Sequence, residues 1–253
     1  MNRKITIFLS LLSASLMLAG CQKTQEISDD EMLPKPMIEH DMRGQSVEGR
    51  SIDSLVLGSG EDVILIMATI HGDENAGTPL VHKLIDHLRA NTQLLDGRKV
   101  VLMPVTNPDG LVAEQRYNIR GVDLNRNFEA ANRKNSTING LTALSEPESR
   151  FIKKVIAKHN PNRIVSLHEP LNCIDYDGPG TDIAEHMGRY CNLPVKKLGS
   201  RPGSLGSYAG NTLGLPIRTV ELTENDRWED EDGLWKRYGQ MLLAAIAYPD
   251  NPE

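Results

Sequence analysis

The chain has 253 residues, 39% hydrophobic and 25% charged, with a formal net charge of −6. That length allows one large domain or two small ones. The acidic balance excludes nucleic acid as a main partner.

The N-terminus comes first. Arg3 and Lys4 form a basic start, Ile5 to Leu18 is an apolar run with scattered serines, and Leu18-Ala19-Gly20 leads into Cys21. This is the pattern of a secretory signal over residues 1–20, and the run is shorter than a membrane span requires. The stretch "LAGC" resembles the bacterial lipobox, which implies that Cys21 receives a lipid and becomes the new N-terminus. Gln22 in place of aspartate implies, by the same resemblance, the outer membrane facing the periplasm. Stable anchoring needs more than one acyl chain. Loss of residues 1–20 removes two cations and no anions, so the formal charge moves from −6 to −8. Cys173 and Cys191 remain after Cys21. An oxidising envelope would permit them to pair, and two buried thiols fit the sequence equally well. Residues 21–48 are polar, acidic and proline-bearing, and read as a tether to a domain over 49–250.

"SIDSLVLGSG" predicts a strand and a glycine turn. Asp62 to Ile70 is almost unbroken apolar chain, the signature of a strand covered on both faces. In residues 78–91, Leu80, Val81, Leu84, Ile85 and Leu88 repeat at helical spacing, with Thr78 as the expected cap and Pro79 in the first turn. "KVVLMPV" predicts another buried strand, Glu146 to His159 a helix, and "RIVSLH" a strand. A helix follows over Thr181 to Tyr190, then the strand "IRTVEL", then an amphipathic helix over residues 233–248. Such alternation predicts one α/β domain, with a mixed, mostly parallel sheet and helices on both faces. About two hundred residues suffice for a substantial core.

Open α/β sheets place ligands beyond the carboxyl ends of their strands. His71, Asn107, His168 and Glu221 fall there. In "HGDE", His71 and Glu74 are three apart, and a tight turn can aim both at one centre. Imidazole and carboxylate are suitable zinc ligands, but the pair alone is a weak signal. His168 ends a predicted strand and is the best third ligand, whereas His82, His87, His159 and His186 lie on or beside helices. Two histidines and a glutamate would suit Zn2+ and leave one coordination position open. Glu221 sits between apolar neighbours in "TVELTEN", where a carboxylate needs a partner or a task. A structural salt bridge and a catalytic base both answer that need. "RYNIRGVDLNRNF" brings Arg116, Arg120, Asn125 and Arg126 together, and arginine's planar fork matches a carboxylate. Asp123 in the same stretch could orient a ligating histidine through its second nitrogen.

These motifs, in this order, resemble the zinc carboxypeptidase superfamily. The resemblance runs from about Ile70 to Leu222 and includes "NPDG" at residues 107–110, "GVDLNRNF" and "VEL". It implies zinc on His71, Glu74 and His168, Arg116 polarising the scissile carbonyl with Arg120 as near competitor, Asn125 and Arg126 gripping a terminal carboxylate, and Glu221 as the catalytic glutamate. Digestive members carry a substrate-facing tyrosine where this chain has Leu198, while Tyr208, kept as a substrate-binding candidate, matches a different, downstream residue. Ordinary peptide specificity is therefore not implied. "RPGSLGSYAG" and "HEPLNCIDYDGP" look closer to the murein-peptide amidases, which cut the γ-D-glutamyl bond to diaminopimelate in wall peptides. Asp175, Tyr176 and Arg201 are the polar candidates for the far amino-acid end of such a residue, and loop structure explains each of them as readily. The competing expectations are a general carboxypeptidase on α-linked peptides, an amide hydrolase of the aspartoacylase or succinylglutamate desuccinylase type, and a wall-peptide-binding lipoprotein without activity.

Overall fold

The computed structural model describes residues 39–250. The signal segment, Cys21 and the tether as far as residue 38 lie outside the described residues. Seven strands make one sheet: β1 (Glu39–Gln45), β2 (Ser51–Leu57), β3 (Asp62–Ala68), β4 (Arg98–Met103), β5 (Arg163–His168), β6 (Leu171–Asp177) and β7 (Ile217–Thr223). Their spatial order is β1-β2-β4-β3-β5-β7-β6. The four central strands are mutually parallel, and β2 and β6 join them antiparallel, with β1 antiparallel to β2 beyond. The mixed, largely parallel sheet is thus as expected.

Burial explains the centre. Every residue of β3 from Val63 onward is buried, and so is all of β5. One face of the sheet is covered by α1 (Gly77–Ala90), α4 (Thr181–Gly188) and α5 (Glu231–Ala247). The other carries α3 (Pro147–His159), with Leu124, Phe128, Leu205 and Tyr208 from irregular segments, and the short α2 (Pro108–Val112) follows β4. In α1 the buried set is Leu80, Val81, Leu84, Ile85 and Leu88 at the expected spacing. Thr78 is not its cap, which is Ala76. Its hydroxyl instead donates to Pro104 O at 2.9 Å and meets Thr69 Oγ1 at 2.7 Å, tying the turn after β3 to the segment after β4.

Two strands lie outside the expected pattern, and both are at sheet edges. β1 falls in the stretch expected to be tether, so ordered chain starts before residue 49. Met42 packs on the core, and Gly44 lets the Phe151 ring approach, with only 2.5 Å from an added Cβ to the ring. Such a strand has no hydrophobic period to read. β6 mixes polar with apolar residues, pairs with β7 on one side and has on the other only the single bridge of Ile174 to Val195 among the described residues.

The strand alternation also decides the cysteines. Ile174 belongs to the α1/α4/α5 side, against which Cys191 packs. Cys173, its neighbour on β6, therefore points to the opposite face. Both thiols are free.

Candidate metal centre and active site

The turn after β3 is built tightly. Thr69 has a left-handed φ of 55°, sparsely populated by a β-branched residue. Gly72 presses on Gly110, where an added Cβ would stand 2.0 Å from the carbonyl carbon. Asn107 holds the other side of this contact: it donates to Ile70 O and accepts from Gly110 N–H at 3.0 Å. Asn107 is thus a brace of the turn, not a member of the cavity lining. The result swings His71 and Glu74 over the sheet edge at which β5 ends in His168.

His71, Glu74 and His168 are all buried, and one ligand atom from each lies within 4.8 Å of the others. Glu74 bridges the two imidazoles, with Oε2 2.8 Å from His168 Nδ1 and Oε1 2.8 Å from His71 Nδ1. The second contact lacks hydrogen-bond alignment, and His71 Nδ1 remains a buried nitrogen without a hydrogen-bond partner. On the ring's far side, His71 Nε2 is 3.1 Å from Asp123 Oδ1, which leaves Nδ1 as the ligating atom. A buried, unpartnered imidazole nitrogen beside a carboxylate and a second imidazole fits a zinc ion. Burial pushes the Glu74 carboxyl up, but contacts with His168 and His71 outweigh it and hold the group well below the usual range. Burial likewise acts against Asp123, yet His71 and Arg116 bring it down to about 2. Both acids are therefore carboxylates at neutral pH.

Around this centre lies a cavity of about 270 Å³. Its wall includes Glu221, which stands opposite His168 in the β5–β7 register and is 9% exposed. Glu221 forms no ion pair among the described residues, and its one hydrogen bond is from Leu171 N–H at 3.4 Å. Burial raises its carboxyl above the ordinary value, with the charge of His168 opposing. Arg116 reaches in from the next wall, with Nη1 2.8 Å from Glu74 Oε1 and Nη2 3.4 Å from Asp123 Oδ2. Asn125 and Arg126 also line the cavity. Asn125 Oδ1 accepts from Leu205 N–H at 2.8 Å, which turns its amide nitrogen away from that contact. Arg126 donates to the Asn125 carbonyl and has no ion pair among the described residues. Burial lowers its guanidinium, and the neighbouring Arg116 and Arg201 cations add to that. The charges of Asp123 and Glu74 oppose this without forming an ion pair with Arg126.

Further out, Asp175, Arg201 and Leu198 line the cavity as well. Asp175 Oδ1 accepts from Leu198 N–H at 2.8 Å. Three expected contacts do not belong to it. Arg120 is exposed and faces Glu146 at 3.5 Å, because the loop turns it outward. Tyr176 alternates with Asp175 to the opposite face, under Lys197 at 5.4 Å. Tyr208 is buried and stacks on Phe128 with ring centroids 5.8 Å apart. Two acidic wall residues are not among the sequence candidates. Asp177 shares the face of Asp175 through the strand period, and accepts from the Ser200 hydroxyl. Glu169 accepts from Ala76 N–H at 2.8 Å, and burial pushes its carboxyl to about 7. The alternation D-x-D before Gly178 was the available signal for Asp177.

The fold and this donor set define a zinc-dependent hydrolase of the carboxypeptidase type. The family model for zinc carboxypeptidase matches residues 32–177, and the chain belongs to that family. Murein peptide amidase A of Escherichia coli K12 is 38% identical over 176 residues, 62% of this chain and 70% of that protein. The corresponding amidase of Vibrio campbellii is 32% identical over 176 residues, 62% of this chain and 68% of its own length. The crystal structure of murein-tripeptide amidase from Escherichia coli O157 superimposes with a TM-score of 0.69 at 27% identity, covering 85% of this chain and 94% of that one. Glu221 lies past the residues that the family model matches, but the β5–β7 register sets it beside the zinc ligands.

Proposed function

We propose that the protein hydrolyses the amide bond that precedes a terminal residue with a free α-carboxylate, and that this bond is the γ-D-glutamyl-diaminopimelate linkage of murein peptides. The carrying observation is the cavity itself, whose wall brings together the metal-ligand cluster, Arg126 with no ion pair among the described residues, and the buried carboxylates of Asp175 and Asp177. Diaminopimelate has the matching two ends: an α-carboxylate, and a side chain ending in an ammonium and a second carboxylate. The ammonium suits Asp175 and Asp177, and the second carboxylate suits Arg201. The likeness to murein peptide amidases supports the same bond.

Zinc on His71, Glu74 and His168 would supply Lewis-acid chemistry at the scissile carbonyl. Glu221 takes a proton from the attacking water and later returns it to the leaving amine. Its raised basicity and lack of an ion pair suit both steps. Arg116, already drawn to the carboxylates beside it, offers a cation to the charge that develops on the carbonyl oxygen. Asn125 and Arg126 fix the α-carboxylate, which sets the bond over the centre and makes the reaction exo-acting.

The purified domain is offered L-Ala-γ-D-Glu-diaminopimelate and an α-linked peptide of similar size. The γ-linked peptide should give the larger kcat/KM by at least about tenfold, the worth of one lost polar contact. Equal values would transfer the reading to a general carboxypeptidase. Lipid attachment at Cys21, and with it a place at the outer membrane facing the periplasm, completes the proposal. Expressed from its full sequence, the protein should sediment with membranes, and Cys21→Ser should release it to the soluble fraction. A wild-type protein found soluble would remove the anchor from the account.

A further inference from the structure

The two strands that carry His168 and Glu221 at one end carry arginines at the other. Arg163 opens β5, and Arg218 is the second residue of β7. Arg218 pairs with Val165 in register, and strand alternation puts Arg163 on the same face as Val165. Both arginines therefore lie under α4 and α5, Arg163 roughly 16 Å along its strand from His168 and Arg218 roughly 10 Å from Glu221 at 3.3 Å per residue.

Their situations differ. Arg163 is fully engaged: its fork meets both oxygens of Asp62, and it caps the end of α5 through Ala245 O and Ile246 O, each at 2.7 Å. Arg218 is among the largest fully buried side chains of the protein, and none of its three guanidinium nitrogens has a hydrogen-bond partner. No carboxylate among the described residues pairs with it; Asp62 is committed to Arg163, and Asp182 is exposed on helix α4. Burial, with the Arg163 cation beside it, pushes the Arg218 guanidinium down to about 9, still a cation at neutral pH. A buried charge with neither partner nor counter-ion is among the costliest arrangements a fold can hold. The same corner has a second orphan: Nε2 of buried His186 lacks a partner, and that ring meets Tyr248 at 5.5 Å.

Arg218 lies in the wall of a cavity of about 330 Å³ that also holds Asn162, Tyr248, Arg163 with its partner Asp62, and the exposed Asp182. This cavity shares no residue with the catalytic one. We propose that it is a binding site for a small oxyanion, a carboxylate or a phosphate group, held by the fork of Arg218. Guanidinium is the side chain whose donors match such an anion in pairs. The anion would stabilise the β5–β7 pair from the edge opposite the active site.

The test is a calorimetric titration of the intact protein with inorganic phosphate and, separately, acetate, at ionic strength held constant with chloride. Arg126→Gln protein is titrated in parallel, because its active-site cation could itself take up either anion. Saturable binding of one anion per chain should survive Arg126→Gln. It should weaken roughly tenfold or more in Arg218→Gln, the loss expected for a charge-assisted contact. If Arg218→Gln does not fold, Asn162→Asp decides. That change keeps an oxygen for the Val63 N–H, which Asn162 accepts at 2.7 Å, and sets a fixed carboxylate on the cavity wall. Added to the Asp62 and Asp182 carboxylates already on that wall, it should weaken binding by repulsion, about tenfold or more. Saturation by phosphate alone or by acetate alone would support the site and name the anion. Absence of saturable binding in Arg126→Gln protein would overturn the proposal, as would undiminished affinity in Asn162→Asp or in a folded Arg218→Gln.

Discussion

Glu221→Gln should reduce kcat by about a hundredfold or more while zinc content stays at the wild-type level. The substitution keeps the side chain's shape and its place opposite His168, and removes only the ability to take and return a proton. General acid–base catalysis is worth roughly two to four decades. The structural alternative is specific and separable. A glutamate kept only for packing or a salt bridge would show its effect on stability, and Glu221 has no salt bridge among the described residues to lose. Turnover within a few-fold of wild type would return it to a structural part.

The second large effect is expected at Arg126. Replacing its guanidinium with the ammonium of Arg126→Lys should lower kcat/KM by about two decades, because a point charge cannot make the paired contacts of the fork. Truncating one side of a buried charge pair costs roughly 2–5 kcal/mol. The substrate offers the complementary change. Amidation of its terminal carboxylate should cost as much as the protein substitution, and the two together should cost little more than either alone, since they remove one interaction. Losses that simply add would show that Arg126 and the carboxylate do not meet. Full activity on the amidated substrate would overturn the clamp whichever bond is preferred.

The sequence made the interior of this fold legible and its edges obscure. β3 and β5 are covered on both faces, so an unbroken apolar run marks them. β1 has no buried residue among those described and β6 carries three polar residues among its seven, so neither shows an apolar run and both read as linker or loop. The same physics sorts the site. His71, Glu74, His168 and Glu221 are readable because each is a polar residue at or near the end of an apolar strand. Asp177 needs the period of a strand that was itself unread. Arg120 has the right residue type in the right segment, but a loop gives no rule for side-chain direction, and it faces Glu146. Tyr176 fails for the opposite reason: strand alternation fixes its direction, away from Asp175. Arg218 carries no sequence signal for its situation, because its interest lies in which partners are missing.

The zinc content of wild-type and His168→Ala protein, compared by elemental analysis, bears most directly on the central claim. That claim is that His71 and Glu74 from one tight turn and His168 from the neighbouring strand hold a single catalytic metal. Wild-type protein should contain about one zinc per chain, the stoichiometry of a three-ligand catalytic site, and the variant should lose most of it. Stoichiometric zinc in folded His168→Ala protein, or a zinc-free wild type after loading, would contradict the account.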